Sequence, residues 1–113
     1  MKSTAIPPGP IESEADLHML SLGLLILEIQ LPGCTSLKEK RSRLKPLLAR
    51  LHREFDLSAA EIDHLDVWQS AGIACALVSN DPNHTQRALQ QVARWVEENW
   101  PDVTLMEEQI ELR

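Results

Sequence analysis

The sequence predicts an α+β sandwich in which a four-stranded antiparallel sheet carries two helices on one face, the elements running β-α-β-β-α-β. Three observations carry this expectation. The segments following "PGCTS" and "SND" repeat apolar residues at helical spacing behind clear start signals. "LSLGLLILEIQL" and "IACALVS" are apolar on both faces, as central strands with a covering on each side are. "DLSAAEIDH" and "VTLMEEQIEL" are of mixed character, as edge strands are.

Length and composition set the frame. A chain of 113 residues with 43% apolar content holds one domain with one modest core. Residues 1–18 contain Pro7, Pro8, Gly9 and Pro10, then scattered acids without periodicity, and read as a flexible tail; residues 19–113 form the domain. Cys34 and Cys75 make no CxxC pair, so free thiols in a reducing compartment are expected rather than a disulfide or zinc framework. Lys2 is followed by no apolar signal region, and Glu28 and Gln30 break the longest apolar run well short of a membrane span, so a soluble, cytoplasmic protein is expected.

Each element has its own signals. In the first strand Leu25, Leu27, Ile29 and Leu31 share one face, and Leu20, Leu22, Leu24 and Ile26 the other. Ser36 and Glu39 form a capping box, which starts the first helix at Leu37. Leu37, Leu44, Leu47, Leu48, Leu51 and Phe55 then make its apolar stripe. Pro46 removes a hydrogen bond inside that helix, but the stripe continues in phase, which predicts one kinked helix rather than two. "LDVWQSAG" reads as a loop between the second and third strands. Asp81 is placed as N-cap with Pro82 at the first helical position. Ala88, Leu89, Val92 and Val96 form the second stripe, Pro101 stops the helix after Trp100, and the last strand has one apolar and one acidic side.

This order is the ferredoxin-like split βαβ pattern. Right-handed crossovers place both helices on one face and the first and third strands in the middle. Leu22, Leu24 and Ile26 then lie on the open face, a patch that predicts a homodimer or another cover, with exposed Trp68 as a further candidate interface residue.

Charge singles out the first helix. Although the chain carries a formal net charge of −6, the run from Leu37 to Arg53 holds Lys38, Lys40, Arg41, Arg43, Lys45, Arg50 and Arg53, seven of its 11 bases, against Glu39 alone. Lys38, Lys40 and Arg41 stand where the helix dipole is already positive, which disfavours cations but suits a phosphate. All seven are therefore candidate phosphate contacts. Bases distributed all round a helix also serve simply to solvate it.

Other chemistry is weaker. The strands expected at the sheet centre carry no aromatic residue and the chain no GxxG loop, so base readout by the sheet is excluded. Glu61, Asp63, His64 and Asp66 fall within six positions, but Asp63 and His64 point to opposite faces if the strand continues, and the ligand count argues against a metal site. Cys34 near a helix start lacks an identifiable base, His84 reads as a surface residue, and Trp95 reads as packing. No catalytic residues, metal or small-molecule cofactor are expected.

"LILEIQLPGCTSLKEKRSRLKPLLARL" followed by "AEIDHLDVWQSAGIACALVSND" resembles the bacterial YlxP-like family, a small domain of unknown function, over roughly residues 20–112. The resemblance implies a ferredoxin-like fold. Ser36, Lys38, Lys40 and Arg41 match the family's "SLKEKR" run, and Asp63, His64, Trp68 and Gln69 its second run. Pro46 departs from the family's uninterrupted helix. Family members often lie beside genes for translation initiation and ribosome maturation, which implies a ribosome-linked role. The expectation is thus a non-enzymatic accessory protein binding structured (ribosomal) RNA through its first helix. The alternative is an interaction module that dimerises through the open face and binds an acidic protein.

Overall fold

The structure, a computed structural model, describes residues 20–113, so the flexible tail expected over residues 1–18 lies outside the described residues. The elements are β1 (Ser21–Gln30), α1 (Leu37–Phe55), β2 (Ser58–Asp63), β3 (Ser70–Ser79), α2 (Pro82–Asn99) and β4 (Thr104–Leu112). They form one four-stranded sheet in the order β2-β3-β1-β4, antiparallel throughout. This is the expected α+β, ferredoxin-like architecture, with β1 and β3 central.

The alternation of β1 decides which side is core. Leu25, Leu27, Ile29 and Leu31 are buried under the helices with Ile73 and Cys75 of β3, against Leu44, Leu47 and Leu51 of α1 and Leu89, Val92 and Val96 of α2. Leu22, Leu24 and Ile26 are half-buried on the other face, in register with Val78, Ala76 and Ala74. Gly23 is required by close approach: a Cβ there would lie 2.3 Å from the Thr85 methyl and 2.7 Å from Leu89. It is the gap that lets the start of α2 settle on β1.

Helix boundaries follow their caps. The Ser36 hydroxyl accepts the Glu39 amide at 3.0 Å, as a capping box requires. The return contact lies one residue upstream, where the Glu39 carboxylate accepts both the amide (3.1 Å) and the hydroxyl (3.0 Å) of Thr35. Those bonds, the backbone one foremost, hold the Glu39 carboxyl below its ordinary value. Asp81 caps α2 by accepting the Asn83 amide at 3.0 Å. Pro46 sits inside a single α1, not between two helices.

Two local expectations are corrected. Ser70, Ala71 and Gly72, expected in a loop, belong to β3 and pair with Gln30, Ile29 and Glu28. Gly72 lacks the side chain that would collide, at 2.8 Å, with the Cβ of Asp63 across the β2–β3 ladder. The β2 register slips at Ile62, and β2 ends at Asp63 because His64 adopts a left-handed backbone, φ 59°.

Candidate nucleic-acid interface

The seven bases of α1 do not form one surface. Lys40 is a correction to the candidate phosphate contacts: its side chain is 1% exposed and its ammonium is fully committed. It lies 2.7 Å from the Glu61 carboxylate and donates to the carbonyls of His64 (2.6 Å) and Val67 (2.7 Å). Two donated hydrogen bonds and an opposite charge at contact distance are what allow an ammonium to be buried. The clue was present in the sequence, since Lys40 falls on the same stripe as Leu44, Leu47 and Leu51.

Arg43 is also engaged in the fold. Nε and Nη2 donate to the side chain and carbonyl of Asp102 at 2.9 and 2.7 Å, and Nη1 donates to the Pro32 carbonyl at 3.0 Å and to Glu39 at 3.3 Å. The Asp102 bond raises its already high pKa further. Arg43 therefore fastens α1 to the α2–β4 turn and has little left for an incoming phosphate. Arg50 lies 5.4 Å over the Trp95 ring, and Trp95 packs edge-on to Phe55 at 5.9 Å, so the packing role expected of Trp95 holds.

Lys38, Arg41, Lys45 and Arg53 remain exposed. At 3.6 residues per turn, Lys38, Arg41 and Lys45 fall within an arc of about 60° on the side of α1 toward β2. Arg41 and Lys45, with Leu44, Leu48 and Glu61, line a shallow groove of about 240 Å³ there. A larger hollow of about 400 Å³ opens on the opposite flank around Ser42, Pro46 and Trp100, but its cation is the engaged Arg43.

The open sheet face has the opposite character. Glu107 and Glu111 of β4 stand in register with Glu28 and Leu24. His64, reoriented by its backbone, places Nε2 3.1 Å from both carboxylate oxygens of Glu28 and Nδ1 3.9 Å from Asp63. The expectation that Asp63 and His64 diverge assumed a continuing strand; the strand stops, and Glu28 joins them from β1. These three residues offer donors within 4.8 Å of one another, a spacing a divalent cation tolerates, while the present contacts are those of an imidazole hydrogen-bonded to a carboxylate.

The thiols are sequestered. Cys34 is fully buried, its Sγ donating to the Ser36 carbonyl at 3.4 Å, and burial pushes the Cys75 thiol up to about 12. His84 is exposed at the start of α2. Among the described residues no helix is long and apolar enough to cross a membrane.

The comparisons with known proteins agree with the motif reading. Over 68 residues, 60% of this chain and 73% of the relative, the chain is 37% identical to the uncharacterized protein YlxP of Bacillus subtilis (strain 168). That resemblance falls on a protein whose own role is undefined. The profile of a family described as "Protein of unknown function (DUF503)" matches residues 22–110, nearly the whole described domain, and the chain belongs to that family.

Proposed function

We propose that this protein is a non-enzymatic accessory factor that docks the outer flank of α1 on the phosphate backbone of structured RNA, ribosomal RNA being the natural candidate from the family's gene neighbourhood. The observation that carries the reading is the exposed stripe of Lys38, Arg41 and Lys45 beside a helix N-terminus, on a chain of net charge −6. Acids elsewhere repel a polyanion and leave this flank as the favourable approach. Arg53 extends the track along the helix. Lys40 and Arg43 support it from beneath by fixing the helix.

Fluorescence anisotropy with ribosomal RNA hairpins over a salt series tests the proposal. Three to four phosphate contacts predict a slope of log affinity against log salt of about −2 to −4. Affinity that does not change between low and physiological salt contradicts it.

A second reading rests on the open face, where Leu22, Leu24 and Ile26 meet Val78, which is 63% exposed. A second copy of the chain covering this face makes the protein an interaction module whose basic helix meets an acidic protein. Sedimentation at micromolar concentration decides it: a dimer supports the module, and a strict monomer removes its basis.

A further inference from the structure

We infer that the β2–β3 loop adds a base-stacking site to the phosphate-docking helix, with Trp68 receiving an unpaired base of the same RNA whose backbone lies on Lys38, Arg41 and Lys45. The inference rests on the RNA reading above and specifies its substrate as RNA with a loop or bulge rather than a continuous duplex.

Three features of the loop support it. The first is exposure: Leu65 is 57%, Val67 44% and Trp68 45% exposed, so three large apolar residues within four positions face solvent. The second is how firmly the backbone beneath them is tied. Lys40 holds the carbonyls of His64 and Val67, and the Val67 amide donates to the His64 carbonyl at 3.0 Å. The Gln69 carbonyl accepts from the Leu31 amide at 2.9 Å, and the Gln69 side chain donates to the Cys34 carbonyl at 2.8 Å. An aromatic ring on a pre-tied backbone loses little freedom when it binds.

The third feature is position. The Gln69 side chain reaches Cys34, two residues before the N-cap, and Lys40 reaches the loop from the first turn of α1, the turn that also carries Lys38 and Arg41. The loop that carries the indole is therefore tied to the N-terminal end of α1, the end of the domain at which Lys38 and Arg41 are exposed. Acids sort the contacts further. Asp63 and Asp66 keep phosphates away from the loop tip, so the loop suits the flat uncharged face of a base while the helix takes the backbone. Nucleobases unstacked from loops and bulges bind on aromatic side chains in this way. The exposed bases at the same end of the domain favour a nucleic acid over an apolar protein surface as the occupant.

The test uses the full chain and two RNAs sharing one stem sequence, a hairpin with an unpaired loop and the fully paired duplex. Trp68→Ala should weaken hairpin binding by about 5- to 100-fold while leaving duplex affinity, the salt slope and the melting temperature unchanged. Trp68→Phe, which keeps a stacking ring, should retain most hairpin affinity. If Trp68→Ala binds the hairpin like the natural chain while Lys38→Gln/Arg41→Gln/Lys45→Gln weakens both RNAs, the stacking site is overturned and the phosphate-docking reading stands. If Trp68→Ala weakens hairpin and duplex equally, the loop does not read an unpaired base and the inference is also overturned. If the natural chain binds neither RNA, both readings fall.

Discussion

Lys40 and Arg41 are neighbours in the chain, carry the same charge and sit in the same turn of α1. Lys40 points inward to Glu61 and two carbonyls and is 1% exposed, whereas Arg41 stands in solvent at the rim of a groove. The comparison extends along the helix. Arg43 is tied to Asp102 and Glu39, while Lys38 and Lys45 remain exposed. Identical chemistry serves two ends: an inner set assembles the domain, and an outer set is available to a partner. A net charge or a count of bases conceals this division, because it depends on which tertiary acceptors each side chain meets.

Breaking the inner set should have the largest effect. Lys40→Met strands the Glu61 carboxylate at 18% exposure and leaves two loop carbonyls without their donor. Removing one partner of a buried ion pair costs about 3–5 kcal/mol, a large part of a total stability of about 5–15 kcal/mol. Urea denaturation should show that loss, and the Lys40→Met/Glu61→Leu double variant should recover part of it, because no charge is then left uncompensated. A single variant as stable as the natural chain would mean that Lys40 is not part of the inner set.

The core offers a gentler probe of what burial does to an ionisable group. The Cys75 thiol, ordinarily near 9, is pushed up to about 12 by burial in the fold. Above about pH 9 the unfolded chain releases this proton while the native chain keeps it. The native state then holds more protons, so stability must fall as pH rises, from about 9 until the folded thiol ionises near 12. Urea midpoints measured across that window should decline less steeply for Cys75→Ala than for the natural chain. Equal slopes would show that Cys75 is not the group responsible.

The division between inner and outer sets explains how far the sequence could be read. Ser36, Asp81 with Pro82, and the alternation of β1 are local signals, and each appears in the structure where its spacing places it. Lys40 differs from its expected exposed position because its partners Glu61, His64 and Val67 lie across the domain, where no local pattern of charge points to them. The Glu28–His64–Asp63 group escaped notice for a related reason. It depends on a histidine in the left-handed backbone region, which no short-range pattern announced, and on a glutamate from a distant strand. The small residues and glycine of Ser70–Gly72 suggest a turn, whereas here Gly72 makes room for Asp63 within the sheet.

The smallest effect on stability belongs to the outer set, where the expected change is in binding. Lys38→Gln/Arg41→Gln/Lys45→Gln should change stability by only about 0.5 kcal/mol per site, as exposed substitutions do. The salt slope of binding to a ribosomal RNA hairpin is the quantity to compare between this variant and the natural chain. The predicted result is a slope shallower by about two to three, with the fold intact. An unchanged slope with a folded variant would contradict the claim that the outer flank of α1 is the docking surface.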